Sequence, residues 1–164
     1  MRQKHFRAIE ATHEPWPLAE RPGFLIRRLH QIHVALFQQA CAEFEVTPLQ
    51  YSLLSALAAR KTADQTTLAA DIALDRTTTT GALKRLEARH LIERPVNADD
   101  RRARLCRLTK AGAQLLAKIE GAARSAHEAT LQGLSTRERT QFVTMMQRIV
   151  AQNANHDTSD PSVD

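Results

Sequence analysis

The sequence predicts a mainly α-helical protein with one small β-hairpin, and three observations support this fold class. Aromatic residues make up only 4% of the 164 residues although apolar residues reach 43%, a balance that favours helices over a sandwich or barrel. Apolar residues recur at helical spacing through most of the chain. Two short runs, "LIERPV" and "ARLCRL", instead have the composition of strands around the polar stretch "NADDRR".

The two ends of the chain differ in composition from its body. Residues 1–23 contain several prolines and are expected to form an arm rather than a continuous helix. Residues 153–164 are polar and acidic, and we expect a disordered tail. The length between them, residues 24–152, suits a single domain with one buried core.

Long amphipathic helices are predicted near both ends of this domain. Between residues 24 and 45 the apolar side chains share one helical face that is broader than a small monomer needs. A second long helix is predicted after Thr109, ending at Gly133. Ser135 and Glu138 then form a capping box that starts a last apolar-striped helix.

The stretch "TPLQ" marks the start of a central helix. Thr47 and Gln50 have the spacing of a capping box, in which two side chains satisfy free backbone amides. Pro48 occupies the first helical position, where its missing N–H costs nothing. The pattern predicts a helix from Pro48 to about Ala59.

Two short helices follow this one. The segment "DQTTLAADIALD" predicts a short helix that ends near Ala73. Asp75 is placed to cap the next helix by accepting from the amide of Thr77 or Thr78. Two short helices joined by a tight turn form the helix-turn-helix pattern.

The second of these short helices contains "RTTTTG", an unusual run because threonine and glycine are poor helix formers. At 100° per residue, Thr79, Ala82, Leu83 and Leu86 form the side expected to be buried. The opposite side is hydroxyl-bearing and cationic, which suits phosphates and thymine methyl groups in a major groove. The alternative is an exposed face without a ligand. Candidate DNA contacts are Arg76, Thr77, Thr78, Thr80, Gly81, Lys84 and Arg85.

The tip of the predicted hairpin carries Asp100, Arg101 and Arg102. Guanidinium groups at such a tip are attracted to the narrow minor groove of A·T tracts. Asp100 and Arg102 are two residues apart, so in an extended segment the carboxylate can hold the guanidinium in place. The alternative is a solvated turn with a weak ion pair. The formal net charge of +5 also favours an anionic partner.

The stretch "DDRRARLCRLTKAG", with the helix-turn-helix before it, resembles the MarR family of winged helix-turn-helix regulators. The matching residues are Asp100, Arg102, Leu108, Thr109 and Gly112. The resemblance covers about residues 24–150. Gly81 departs from the long polar residue that is common at its position.

The resemblance implies a homodimer that binds double-stranded DNA. Its dimerisation helices would lie at residues 24–45 and 109–152, and its winged helix-turn-helix at residues 48–108. Because a two-fold dimer presents two recognition helices, a palindromic operator is expected. The resemblance thus predicts a transcriptional repressor, which would be associated with the nucleoid.

The family resemblance also implies release from DNA by a small-molecule effector, with an aromatic acid as the suggested class. His33 lies among apolar residues of the first helix, and Tyr51 lies near the start of the next one. A satisfied core or interface histidine is the alternative explanation for His33. The candidate effector-binding residues are His30, His33, Tyr51 and Ser52.

Other functions have weaker support in the sequence. A zinc-responsive regulator is suggested only by the spacing of His30 and His33, and a thiol-redox regulator only by Cys41 and Cys106. We expect both cysteines to be small buried apolar residues. Without a phosphate loop or nucleophile motif, no enzyme activity, catalytic residue, metal site or cofactor is expected. No transmembrane run or signal peptide is evident, so a cytoplasmic protein is expected. The basic residues lie on the predicted wing and recognition helix instead of along one continuous amphipathic helix, so no membrane partner is expected.

Overall fold

The computed structural model describes residues 16–96 and 104–153. These residues form six α-helices and three short strands, which confirms the predicted fold class. The helices are α1 (Pro22–Ala40), α2 (Pro48–Arg60), α3 (Gln65–Asp71), α4 (Arg76–Ala88), α5 (Lys110–Thr130) and α6 (Thr136–Asn153). The strands are β1 (Ala63–Asp64), β2 (Ile92–Glu93) and β3 (Leu105–Leu108).

Side-chain caps begin the helices where the sequence predicts them. Thr47 forms the reciprocal capping box of α2, with Pro48 at the first helical position. Asp75 accepts a hydrogen bond from the amide of Thr78 at 2.8 Å and so caps α4. At α6, the side chains of Ser135 and Glu138 each accept from the other's backbone amide, at 3.4 and 2.8 Å. These three predictions are confirmed.

The first helix differs from the predicted span of residues 24–45. It begins at Pro22 and ends at Ala40, and a 3₁₀ turn follows over Ala42–Phe44. Glu45 then adopts a left-handed conformation with φ 51°. The guanidinium of Arg89 donates to the carbonyl oxygens of Glu45 and Phe44, at 2.6 and 3.2 Å. Arg89, which directly follows α4, therefore holds the chain where it turns away from α1, and the apolar spacing of residues 24–45 cannot reveal this contact.

The ends of α3 and α5 also differ from the sequence prediction. Helix α3 ends at Asp71 rather than near Ala73, which has a positive φ of 52°. Helix α5 ends at Thr130, so Gly133 is not its terminator. The amides of Leu131 and Gln132 form 3₁₀-type bonds to Glu128 and Ala129, and the helix closes without a glycine.

The sheet has the strand order β1-β3-β2, and both pairings are antiparallel. The predicted hairpin is confirmed, because Ile92 pairs with Leu108. Pro95 follows the edge strand β2 and offers its carbonyl oxygen to the amide of Leu105 at 3.0 Å, so its missing N–H is not needed. The third strand, β1, is not evident from the sequence; its Ala63 pairs with Cys106.

Two apolar clusters form the core. One lies within the helix-turn-helix and sheet and includes Leu53, Leu83 and Cys106. The other joins α1 to α5 through Phe37 and Ile119. Helix α6, in contrast, has no buried residue in the described chain. Its apolar side chains, and several of α1, remain exposed: Val143, Met145, Met146, Ile149 and Val150, with Leu25, Ile26 and Ile32.

The chain ends are described only in part. Of the predicted arm, residues 1–15 lie outside the described residues, whereas Leu18–Glu20 form a 3₁₀ turn. Most of the predicted tail, residues 154–164, also lies outside them, and Asn153 ends α6. No helix within residues 16–96 and 104–153 has the length and apolarity needed to cross a membrane.

Candidate nucleic-acid interface and effector site

Helix α4 has the two-sided character that its sequence predicts. Thr79, Ala82, Leu83 and Leu86 are fully buried against the helix-turn-helix core. The hydroxyl of Thr79 donates to the carbonyl oxygen of Asp75 at 2.9 Å, so its burial leaves no polar atom unsatisfied. One threonine of the run is therefore a core residue.

The opposite side of α4 is available to a ligand. Arg76, Thr77, Thr78, Lys84 and Arg85 are exposed, and Thr80 and Gly81 are half-buried. Together these residues carry three cationic side chains and short hydroxyls within about three helical turns. Such a surface can meet phosphate oxygens and base edges at the same time.

Asp75 supports this face from the start of the helix. Hydrogen bonds from the Thr78 side chain and then its backbone amide lower the pKa of the Asp75 carboxyl below its ordinary value. The carboxylate is therefore ionised at neutral pH and lies at the positive end of the helix dipole. This cap fixes the first turn of α4.

The hydroxyl of Thr80 is already engaged within the protein. It donates to the carbonyl oxygen of Arg76 at 2.6 Å and accepts from the side-chain amide of Gln65. The helical period puts Thr80 on the side predicted to face DNA, but its partner Gln65 belongs to α3. No periodicity of α4 could reveal this partner, because it comes from another helix.

Gly81 has no structural need to be glycine. A Cβ built on it would meet only Nη1 of Arg85, at the ordinary contact distance of 3.7 Å. Its φ is not positive. Its missing side chain therefore leaves free space on the exposed side of α4 rather than room for a packed neighbour.

The predicted wing tip, with Asp100, Arg101 and Arg102, lies outside the described residues. The base of the wing is described. There Glu93 and Arg107, on paired strands, form an exposed ion pair at 2.6 Å. The structure thus supports a hairpin at this position but leaves the three tip residues as predictions.

Two of the four candidate effector residues flank one aromatic ring. The ring centroids of His33 and Tyr51 lie 6.2 and 5.4 Å from that of Phe37. His33 also stacks on His127 at 4.7 Å, and its Nδ1 lies 2.9 Å from Oγ1 of Thr130. The site therefore joins α1, α2 and α5.

Burial and charge set the protonation of these groups. Burial, followed by the imidazoles of His127 and His30, lowers the pKa of His33 below its ordinary value of 6.5. His33 is therefore neutral at pH 7 and can act as a hydrogen-bonding group. Burial and Glu120 raise the pKa of Tyr51, whose hydroxyl donates to Oε2 of Glu120 at 3.1 Å.

The other two candidates are less well placed. His30 is exposed, although it lies close enough to affect His33. Ser52 is exposed and donates to the carbonyl oxygen of Pro48 at 3.0 Å, within its own helix. An open groove of about 390 Å³ between α1 and α5 has none of the four candidates among its described lining: Leu36, Gln39, Ala40, Ser125, Ala126 and Ala129.

Both cysteines are buried, at 1% exposure for Cys41 and none for Cys106. Burial raises the pKa of both thiols, so little reactive thiolate is present at neutral pH. The part of the chain described by the structure contains no group of three His, Cys, Asp or Glu residues that could hold a metal ion.

Comparisons with known proteins agree with this geometry. The MarR family model matches residues 46–103. The HTH-type transcriptional repressor NicR of Pseudomonas putida is 30% identical, with 86% of this chain and 89% of that protein covered. BpsR of Bordetella bronchiseptica, whose DNA binding is regulated by 6-hydroxynicotinic acid, has 31% identity and a TM-score of 0.78, with 82% and 96% covered. PcaV of Streptomyces coelicolor, solved with its natural ligand, has 31% identity and a TM-score of 0.77, with 85% and 98% covered.

The fold and the exposed face of α4 define a winged helix-turn-helix protein that binds DNA. The chain belongs to the MarR family of transcriptional regulators. Like other members it acts as a dimer. Regulators of this family are generally not enzymes.

Proposed function

We propose that this protein is a non-enzymatic dimeric repressor that reads an inverted-repeat operator through α4 and the wing, and that a small aromatic acid releases it. The observation that carries the DNA-reading role is the separation of α4 into a buried apolar side and an exposed hydroxyl and cationic side. Two such helices in a dimer favour half-sites about 10 base pairs apart, centre to centre.

The residues on this side of α4 have different roles in this proposal. Thr77 and Thr78 present short hydroxyls and methyls to the base edges and phosphates. Lys84 and Arg85 neutralise phosphates, and Gly81 leaves room for close approach of the helix to the duplex. Arg101 and Arg102 of the wing tip would enter the flanking minor groove, with Asp100 orienting Arg102.

A salt titration of Lys84→Ala tests the role of α4. Fluorescence anisotropy would use a duplex selected by the parent protein from a random pool. The variant should bind more weakly, and the slope of log K against log salt should fall by about 0.9 for each phosphate that the lysine no longer neutralises. Lys118→Ala, which removes an exposed lysine on α5, is the matched control and should behave like the parent. Equal slopes for all three proteins would contradict the proposal.

The effector site is proposed at the His33 and Tyr51 side chains around Phe37. This position bridges the dimerisation helices and the helix-turn-helix, so a ligand there can favour one relative placement of the two. The relative BpsR supports an aromatic acid, because 6-hydroxynicotinic acid regulates its DNA binding. Neutral His33 and the Tyr51 hydroxyl are the polar groups that would donate to a carboxylate, and Tyr51 would exchange its hydrogen bond to Glu120 for one to the ligand.

Proton uptake provides a test of this site. His33 is neutral at pH 7, and a bound carboxylate would stabilise its protonated form and raise its pKa. Binding of 6-hydroxynicotinic acid should therefore take up protons and become tighter as pH falls from 7 towards the pKa of His33. Calorimetry in buffers of different ionisation enthalpy measures this uptake.

His33→Gln should abolish the proton uptake and weaken release from DNA while nearly preserving operator affinity. His90→Asn is the control, because His90 is exposed and asparagine tolerates its φ of 56°. The same proton uptake in the parent and in His33→Gln would place the effector elsewhere.

We also propose the domain organisation inferred from the sequence, with the winged helix-turn-helix between the dimerisation helices. From DNA binding of this kind we infer a location in the cytoplasm, in association with the nucleoid. Expression of a fluorescent fusion would test that location, with co-localisation with the chromosome as the expected result.

A further inference from the structure

A polar network links α3, α4 and the base of the wing. Its centre is the side-chain amide of Gln65, the first residue of α3. The amide nitrogen donates to the hydroxyl of Thr80 and, at 3.5 Å, to the carbonyl oxygen of Arg76. The amide oxygen accepts from Arg94 at 3.4 Å, and Arg94 also donates to Glu87 at 3.5 Å. The oxygen and the nitrogen of the Gln65 side-chain amide are therefore both hydrogen-bonded, the oxygen to the base of the wing and the nitrogen to α4.

The burial of Arg94 is costly and needs an explanation. Its side chain is only 10% exposed, and its Nε has no hydrogen-bond partner within the described residues. The contacts to Gln65 and Glu87 are long, so they offset the loss of hydration only in part. Replacement of such buried ionic groups by apolar side chains is often neutral or stabilising in proteins. The network is therefore better explained by the geometry that it imposes than by stability.

We propose that Gln65 and Arg94 are positioning residues for DNA recognition, which fix the placement of the wing relative to α4. Arg94 follows directly after β2. Its guanidinium contacts Glu87 near the end of α4, and it also contacts Gln65, which donates to Arg76 at the start of α4. The hairpin is therefore linked to both ends of α4. A dimer that reads a major groove with α4 and a minor groove with the wing needs this relative placement to be fixed. The inference rests on the proposed DNA-reading role of α4.

This network assigns Thr80 a different role from the DNA contact that the sequence predicts. Its hydroxyl is held between the Arg76 carbonyl oxygen and the Gln65 amide, so it anchors α4 to α3 and does not read DNA. Its neighbours Thr77 and Thr78 remain exposed on the same helix. In the run of threonines, Thr79 is thus a core residue, Thr80 anchors α4 to α3, and Thr77 and Thr78 are exposed.

The experiment compares Gln65→Ala, Arg94→Ala and their double variant by anisotropy over a potassium chloride series. The probe is a duplex that the parent protein selects from a random pool, with flanking A·T or G·C tracts. Each single variant should bind the A·T-flanked duplex about tenfold more weakly, the effect of removing one or two hydrogen bonds from each subunit. The salt slope should stay unchanged because the same phosphates are still neutralised. The double variant should be no weaker than either single variant, because both interrupt one network.

The difference in affinity between A·T-flanked and G·C-flanked duplexes is a measurement that general destabilisation of the protein would not change. If the wing and α4 are no longer held together, the loss of affinity on replacing the A·T flank with G·C, here called the flank penalty, should be smaller in Gln65→Ala than in the parent. Gln114→Ala, at an exposed glutamine of α5, should retain the parent's penalty. If Arg94→Ala does not fold, Gln65→Glu replaces it, because it keeps the contact to Arg94 and removes the donor to Thr80. It should show the same weakened binding.

Two results would overturn the inference. A reduced salt slope in Gln65→Ala would show that Gln65 contacts phosphate directly. Parent-like affinity and flank penalty in Gln65→Ala, together with weakened binding in Lys84→Ala, would show that the network has no role although α4 reads DNA. Parent-like binding by Lys84→Ala would contradict the proposed function of α4 itself, and so separates the two failures.

Discussion

At the scale of single residues, Gly112 has the clearest physical requirement in this chain. It lies at the start of α5, where its amide donates to the Thr109 cap at 3.0 Å. A Cβ on Gly112 would lie 2.0 Å from the carbonyl oxygen of Leu91. The amide of Thr109 donates to that same oxygen at 3.1 Å. The glycine therefore allows α5 to begin directly against the backbone that leaves α4.

Gly112→Ala should destabilise the protein strongly, by about 3 kcal/mol or more, because backbone atoms rather than a flexible side chain must move. Gly121→Ala is the matched control within α5. A Cβ there meets nothing within 4 Å, so the better helix propensity of alanine should stabilise the protein by about 0.5–1 kcal/mol. Urea unfolding at a fixed protein concentration measures both. Equal stability of the two variants would refute the close contact at Leu91.

At the scale of elements, α4 has low helix propensity on the side that is proposed to face DNA. Its run of threonines and Gly81 makes the helix less stable than alanine or leucine would. Thr79 is buried and Thr80 is engaged by Gln65, but no contact in the described chain requires glycine at residue 81. The missing side chain is therefore expected to serve binding rather than folding.

Gly81→Ala should separate stability from DNA binding. The variant should unfold at a higher temperature, because alanine is about 1 kcal/mol more favourable than glycine in a helix. It should also bind the operator more weakly, because the new methyl group enters the space proposed for the duplex. Gly121→Ala serves as a control that should gain stability without any loss of DNA affinity. Operator affinity equal to that of the parent would show that Gly81 does not approach DNA.

At the scale of the whole molecule, the exposed apolar side chains of α6 and α1 give the monomer an incomplete core. Ile149 and Val150 are 59% and 67% exposed. Side chains of this size favour burial by about 1.5–3 kcal/mol each. Dimer formation is therefore expected to supply much of the stability of this half of the protein.

Ile149→Glu should dissociate the dimer and, as a consequence, abolish tight binding to a two-half-site operator. Thr144→Glu introduces the same charge at the centre of the polar side of α6, so it should remain dimeric. Sedimentation velocity over a concentration series measures both variants. A fully dimeric Ile149→Glu protein with parent-like operator affinity would contradict a dimer interface at this position.

Features that depend on neighbours within one or two helical turns follow from the amino-acid sequence alone. The starts of α2, α4 and α6 follow from caps that reach three residues along the chain, as Asp75 does to Thr78. The buried side of α4 follows from the helical period, and the structure confirms it at Thr79. The hairpin follows from the composition of its two strands.

Features whose partners are distant in sequence depend instead on how the whole chain packs. Strand β1 has two residues, too few for a pattern, and exists because it pairs with β3. The turn after α1 is held by Arg89, 44 residues from Glu45, and His33 meets Thr130 across 97 residues. Thr80 has a partner in α3 that the period of α4 cannot show. Local patterns determine how a segment folds and which side is apolar, whereas contacts between segments depend on a packing that those patterns do not encode.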